Sequence, residues 1–282
     1  MRQVKAKVLS NRQILSYSGA KYFLMRIKAP DIAGESRPGQ FLMVKCGEKV
    51  VLRRPLSIHD VTRSGEVHLL FTIPDSNSTE RPPEVGREIE IKSIKGKGTL
   101  WLSKLEEGVE LDLLGPLGNG FQIEPRTQNI LIVAGGIGIA PLKFLAKKAL
   151  ALKKSVTILL GARTRSGIYP ENLLPREVKL VLATEDGSLG RKARVTDLLH
   201  GHLDWADQVY ACGPQAMYVE IVKQCTDREV KKPVQFSLEV RMGCGVGACY
   251  ACSIKTKQGM LRVCKEGPVF NIRDIIWQEV KI

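Results

Sequence analysis

Through the first 126 positions apolar and polar residues alternate in short runs: Val4, Ala6 and Val8 are separated by Lys5 and Lys7, and Phe23-Leu24-Met25-Arg26-Ile27 and Phe41-Leu42-Met43-Val44 follow. A period of two, punctuated by Pro38-Gly39 and Ser64-Gly65, predicts strands joined by tight turns, hence an antiparallel β-barrel. Residues 74–86, with Ser76, Asn77, Ser78, Pro82 and Pro83, interrupt that rhythm and predict a surface excursion. From about 127 to 232 the texture changes to continuous apolar runs at 129–134, 156–160, 178–183 and 208–211, with a helical pattern from Pro141 to Leu152. Strand alternating with helix predicts a parallel α/β sheet. The remaining stretch, 233–282, is short and rich in cysteine. The chain thus divides into an antiparallel β-barrel (1–126), a parallel α/β domain (127–232) and a small C-terminal module (233–282), an α+β multidomain architecture.

Composition narrows the class. A chain of 282 residues with 44% hydrophobic and 26% charged content is that of a globular protein with real cores. Its first ten residues lack an apolar leader and nowhere do 18 apolar residues run together, so neither secretion nor membrane spanning is expected. Seven cysteines in such a chain fit a reducing compartment, the cytoplasm, better than a disulfide framework. The formal charge of +14 comes from scattered pairs, among them Arg53-Arg54, Lys147-Lys148, Lys153-Lys154 and Lys231-Lys232, interleaved with apolar residues. Solvated faces are expected there, with a docking surface as the alternative, and no nucleic-acid tract.

The strongest chemical signal is Cys244, Cys249, Cys252 and Cys264, spaced C-x4-C-x2-C-x11-C. This is the plant-type spacing for a 2Fe-2S cluster. Gly243, Gly245 and Gly247 alternate with the first ligand, and glycine lets backbone N–H groups turn toward sulfur. Structural zinc is the alternative, but zinc sites usually pair two short cysteine knuckles across a longer gap.

The α/β part carries a second signal. Gly135-Gly136-Ile137-Gly138-Ile139-Ala140-Pro141 stands between a strand and a helix, where backbone N–H groups at a positive helix end suit a pyrophosphate. Pro141 replaces the third glycine of the dinucleotide fingerprint and still fits a first helical turn. Cys212-Gly213-Pro214 follows the strand 208–211 and is expected opposite that turn, with Cys212 either near a nicotinamide ring or a buried thiol. The carboxylates of Glu185 and Asp186 either bond ribose or face solvent. Arg163 and Arg165 follow the strand 156–160, where a 2′-phosphate could be read. His200 and His202 are expected at the surface and not as ligands.

Three of these elements, Arg54-Pro55-Leu56-Ser57, the turn from Gly135 and Cys212-Gly213-Pro214, occur in the order seen in the ferredoxin-NADP reductase superfamily. With the cysteine module, the whole chain most closely resembles the electron-transfer subunits of NAD-dependent dihydroorotate dehydrogenases. Pro38-Gly39-Gln40-Phe41, Gly96-Lys97-Gly98-Thr99, Leu114-Gly115-Pro116-Leu117-Gly118 and the run from Arg262 to Phe270 match as well. The resemblance implies FAD in the barrel, held by Arg54, Pro55, Leu56, Ser57, Ile91, Lys92, Ser93, Gly98 and Thr99. It implies NAD at Gly135, Gly136, Gly138, Pro141, Cys212, Gly213 and Pro214, and the cluster on the four cysteines. No catalytic acid–base residue is expected in this chain. The implied function is transfer of electrons from a dihydroorotate-oxidising FMN subunit, through the cluster and FAD, to NAD in pyrimidine biosynthesis, in a two-plus-two heterotetramer. The same modular order also fits a small subunit of an NADPH-ferredoxin oxidoreductase or a hydrogenase-linked diaphorase, and a zinc-stabilised scaffold is a reading from another class.

Overall fold

The computed structural model describes residues 1–17, 19–74, 97–277 and 279. Ile91, Lys92, Ser93 and all of the expected excursion beyond Pro74 lie outside the described residues.

Alternation becomes a closed barrel. Strands β1 (Arg2–Tyr17), β2 (Ala20–Lys28), β3 (Phe41–Val44), β4 (Arg54–Val61), β5 (Glu66–Pro74) and β6 (Glu110–Leu117) close in the order β1-β2-β5-β4-β3-β6. Every pairing is antiparallel. Because side chains point alternately in and out, Val8, Met25, Ile27, Leu42, Val44, Ile58, Leu69, Leu111 and Leu113 collect in one core while their polar neighbours stay outside. The 16-residue β1 serves two partners, pairing β6 along 2–7 and β2 along 7–17. Helix α1 (Pro30–Glu35) follows β2, and α2 (Lys97–Ser103) seats Leu102 in the barrel core, held by Asn11 Nδ2 donating to the carbonyls of Leu102 and Leu105.

The α/β sheet contains β7 (Asn129–Gly135), β8 (Ser155–Ala162), β9 (Lys179–Thr184), β10 (Arg191–Lys192), β11 (Gln208–Cys212), β12 (Val234–Ser237) and β15 (Val269–Asn271), in the order β10-β9-β8-β7-β11-β12-β15. All neighbours are parallel except β15, which runs antiparallel to β12. Strand β7 explains the two layers: Ile130, Ile132 and Ala134 pack with α3 (Ile139–Ala151), while Leu131 and Val133 pack on the opposite face with α4 (Gln215–Asp227). The helix begins two residues before Pro141, whose missing N–H falls in the first turn, where no carbonyl would receive it.

The sheet crosses the sequence division at 232, since β12 and β15 on the module side complete it. Between them, β13 (Ser253–Thr256) and β14 (Gly259–Arg262) form a hairpin beside the cysteine loop. Cys252, Cys264, Val263 and Phe270 share one core with α4 and with Phe41, Met43 and Leu117 of the barrel. Among the described residues no helix is long and apolar enough to cross a membrane.

Candidate functional site

Strand β4 carries Arg54, Pro55, Leu56 and Ser57, all half-buried and paired across β3 with Val44, Met43, Leu42 and Phe41. The Arg54 side chain lies over the first turn of α2: a Cβ on Gly98 would stand 2.8 Å from Arg54 Nε. A guanidinium is thereby placed beside backbone N–H groups of a helix start, a donor set that fits a pyrophosphate. Thr99 stands next in that turn, half-buried.

The two nucleotide turns meet at the carboxyl edge of the sheet. Cys212 pairs with Ala134 across β11 and β7. A Cβ on Gly138 would fall 2.0 Å from the Cys212 carbonyl oxygen, and one on Gly213 would stand 3.2 Å from Gly135 N. Pro214 crowds Gly135, so Gly135, Gly136, Gly138 and Pro141 on one side and Cys212, Gly213 and Pro214 on the other form a single cradle of backbone. The Cys212 thiol is not part of its surface: it is fully buried, beside the Tyr218 hydroxyl at 3.7 Å, and burial drives its pKa far above the ordinary thiol value. Tyr218 completes the turn by accepting from Gly213 N (3.1 Å) and donating to Ser237 O (2.7 Å). Glu239, two residues past β12, lies near Cys212, and desolvation raises its carboxyl pKa. Neither its position beside Cys212 nor its environment has a signature in the sequence.

Asp186 at the end of β9 is occupied locally, accepting from Ser188 N (3.0 Å) and Oγ (2.6 Å), while Glu185 is exposed. His200 is exposed and His202 Nδ1 donates to Leu198 O at 2.9 Å, so neither histidine joins a site.

The cysteine loop wraps its sulfurs in N–H donors. Cys244 Sγ accepts from Val246 N (3.4 Å), Ala248 N (3.3 Å) and Cys249 N (3.4 Å), Cys264 Sγ from Gly247 N (3.1 Å), and Cys252 Sγ from Cys264 N (3.4 Å). Burial opposes ionisation of Cys244, but the N–H groups of Cys249, Val246 and Ala248 outweigh it and bring the thiol down to about 6. Burial next to Cys252 instead pushes Cys264 up to about 12. Cys244 interacts with Cys249, and Cys264 with Cys252 first and Cys244 more weakly. Among the described residues no three such side chains gather as for a single metal ion. Two pairs of sulfurs suit two irons, one pair each, and the N–H donors suit the negative charge of a thiolate-bound cluster.

Two contacts that sequence reading missed fasten this loop. Gly245, at φ +76, rests on Met43: a Cβ there would lie 2.4 Å from Met43 Cγ. Arg262 donates to Gly247 O (2.8 Å), is held by Glu266 (2.6 Å) and lies 4.9 Å from the Tyr250 ring centre. The matched segments 114–118 and 262–270 also meet, with Asn119 N donating to Gly267 O (2.6 Å) and Gln40 Nε2 to Gly118 O (2.8 Å).

The family profile "Iron-sulfur cluster binding domain of dihydroorotate dehydrogenase B" matches residues 239–276, and "Oxidoreductase NAD-binding domain" matches 132–223. The chain is 40% identical over 266 residues to the dihydroorotate dehydrogenase B (NAD(+)) electron transfer subunit of Desulforamulus reducens, covering 91% of this chain and 93% of that protein. It is 36% identical to the subunit of the same name from Caldanaerobacter subterraneus, covering 98% and 99%. A solved structure described as an NADH-dependent reduced ferredoxin-NADP oxidoreductase, studied for flavin-based electron bifurcation, superposes with a TM-score of 0.78 at 29% identity over 97% of this chain and 90% of its own. A ferredoxin-NADP+ reductase from Plasmodium falciparum shares the fold alone, with a TM-score of 0.61 at 14% identity over 84% of this chain and 96% of its own.

Proposed function

The chain belongs to the family of electron-transfer subunits of dihydroorotate dehydrogenase B, and we propose that Arg54, Gly98 and the β4 strand hold its FAD, the Gly135–Cys212 cradle its NAD, and Cys244, Cys249, Cys252 and Cys264 its cluster. It is an oxidoreductase subunit that works with a catalytic partner subunit and uses a 2Fe-2S cluster, FAD and NAD. When bound, the cluster carries electrons singly and FAD exchanges them in pairs with NAD as a hydride.

The observation that carries the reading is the seat of Gly245 on Met43, because Met43 pairs with Pro55 in the Arg54–Ser57 strand. The cysteine loop therefore rests on the strand that pairs directly with the flavin strand. Backbone donors hold the Cys244 sulfur ionised, Arg54 supplies a fixed positive charge for the FAD pyrophosphate, and the bare backbone of Gly138 and Gly213 lets a nucleotide approach closely. Residues 1–126 act as the flavin domain, 127–232 as the nucleotide domain and 233–282 as the cluster module. In this reading Ile91, Lys92, Ser93 and Thr99 also belong to the flavin site. The partner is the FMN-bearing subunit that oxidises dihydroorotate, assembled two plus two, and the complex is cytoplasmic, where Cys46, Cys212 and Cys225, outside the cluster, stay reduced thiols.

The test is to purify the chain anaerobically with whatever remains bound and to follow NAD reduction on adding dihydroorotate. Dihydroorotate-dependent NADH formation is expected. If dihydroorotate is inert while NADH bleaches the visible absorption, the electron donor is another protein. That second reading draws on the 29% identity to the ferredoxin-NADP oxidoreductase, whereas the 40% identity to the Desulforamulus reducens subunit favours the first.

A further inference from the structure

Alternation along β2 puts Tyr22 on the outside of the barrel. Met25 and Ile27 point into the barrel core and Phe23 packs against it, so Tyr22, Leu24 and Arg26 face outward. On a free barrel such a tyrosine would be open to solvent, yet Tyr22 is only 8% exposed. The nucleotide domain covers this face. Leu70 of β5 shares a core with Ile139 and Ala140 of α3, and Ile14 of β1 packs against that core. The Tyr17 ring packs against Gly167 while its hydroxyl accepts from Arg163 N (3.1 Å). Tyr22 lies between these contacts, opposite Leu15 on β1 and Thr72 on β5.

Packing does not account for the side chain placed there. Among the described residues Tyr22 joins none of the three apolar cores, and its hydroxyl has no hydrogen-bond partner. Burial, then the neighbouring Tyr17, raises its pKa, so the phenol keeps its proton and remains a donor at neutral pH. The oxygen is not sealed in: among the described residues the buried polar side-chain atoms that lack a partner are Asn11 Oδ1 and His68 Nδ1. It stands over the glycine turn. A Cβ on Gly136, which sits at φ +54, would lie 3.8 Å from the Tyr22 hydroxyl and, among the described residues, within 4 Å of nothing else beyond its chain neighbours. Bare backbone at the start of a helix and an unpartnered phenolic donor therefore border the same space. Backbone N–H groups at such a turn favour a phosphate oxygen, and the phenol adds one more donor to the set.

We infer that the Tyr22 hydroxyl donates to the pyrophosphate of the nicotinamide nucleotide held on the glycine turn, so that the barrel supplies one ligand of the NAD site. The inference rests on the nucleotide cradle proposed above and adds no step to the chemistry. It ties the nucleotide to both domains at once. A dinucleotide anchored on the barrel as well as on the turn keeps its nicotinamide half in one position relative to a flavin bound along β4, which is the orientation that hydride transfer needs.

The test is calorimetric titration of the FAD- and cluster-loaded protein with ADP-ribose, which carries the pyrophosphate, and with adenosine, which has no phosphate, for wild type and for Tyr22→Phe. The variant keeps the ring and loses only the hydroxyl. ADP-ribose is expected to bind about tenfold weaker to Tyr22→Phe, the loss of one hydrogen bond to a charged group, with adenosine affinity and FAD content the same in both proteins. Equal ADP-ribose affinity in the two proteins overturns the inference and leaves the cradle standing. So does an equal loss for adenosine, which would make the hydroxyl a prop of the turn and not a phosphate ligand, and so does loss of FAD with ADP-ribose affinity intact, which would assign the hydroxyl to the flavin. No ADP-ribose binding to wild type overturns cradle and inference together. As a second readout, kcat/KM for NADH with ferricyanide as acceptor is expected to fall by a similar factor through KM, and an unchanged value contradicts the proposal.

Discussion

Gly245 packs its backbone directly onto the side chain of Met43, with space for no other residue between them. Met43 is fully buried, and it belongs to a core that contains Cys252 and Cys264 as well as Phe41 and Leu117. The cysteine loop is therefore part of the same packed body as the β-barrel. With FAD and the cluster at the sites proposed above, such contact would hold their separation to a fixed value, which a tethered module could not do.

Replacing Gly245 with Ala tests that contact. The residue sits at φ +76, where an L side chain is strained by about 1–3 kcal/mol, and its new methyl would collide with Met43. The expected outcome is a lowered iron content and a weaker visible cluster signal, with FAD retained. Full cluster occupancy in this variant would show that the seat on Met43 does not hold the loop.

Arg262 acts one step away from the sulfurs. It fixes the Gly247 carbonyl, and the N–H of Gly247 donates to Cys264. Arg262→Ala is expected to hasten cluster loss to a ferrous chelator severalfold without changing FAD content, and Arg262→Lys to restore part of the protection. Equal loss rates in wild type and Arg262→Ala would remove the residue from the account.

Gly138→Ala addresses the nucleotide cradle. Its methyl would land on the Cys212 carbonyl, which is backbone and cannot swing aside. NAD reduction is expected to fall at least a hundredfold, about 2.7 kcal/mol of transition-state binding, while flavin and cluster absorbance persist. Retained NAD affinity by titration would place the nucleotide elsewhere.

Much of this site was legible because it is local. The cysteine spacing lies within one 21-residue stretch and the glycine turn and the Cys212-Gly213-Pro214 turn each within a few residues, and strand and helix periodicity places the two turns on the carboxyl edge of one sheet. What was illegible is what the closed fold brings together from afar: Met43 under Gly245, Tyr17 under Gly167, and Glu239 beside Cys212. The boundary at 232 reflects a change in composition, whereas β12 obeys strand pairing and continues the sheet across it. Cys212 shows the limit in reverse, since its sequence neighbours mark a ligand turn while its side chain serves the core.

The interface between barrel and nucleotide domain should respond to acid through His59. The imidazole on β4 is fully buried, with Nδ1 2.8 Å from Ala140 O and Nε2 2.8 Å from the Tyr169 hydroxyl. A carbonyl only accepts, so Nδ1 carries the proton and Nε2 accepts from Tyr169, which makes the neutral ring the bonded form. Burial first, and then the charge of Lys143, lower its pKa to about 3, against a smaller opposing pull from Ala140 and Asp60. Stability from this group is complete above the unfolded value near 6.5 and is lost as pH falls from there toward 3, because only the unfolded chain takes up the proton. At about 1.4 kcal/mol per pH unit, the loss between pH 6.5 and 5 is about 2 kcal/mol. Asp60, lowered by Lys143 and Lys147 against its own desolvation, adds acid sensitivity only near and below its ordinary range, about 4, and does so with or without the histidine. Urea unfolding at pH 7.5, 6.5 and 5 of wild type and His59→Gln separates the two. Glutamine can still donate to Ala140 but does not titrate, so the variant is expected to be less stable at pH 7.5 and to lose about 2 kcal/mol less than wild type on going to pH 5. Parallel losses in the two proteins would show that the buried histidine is not the acid-sensitive element of this interface.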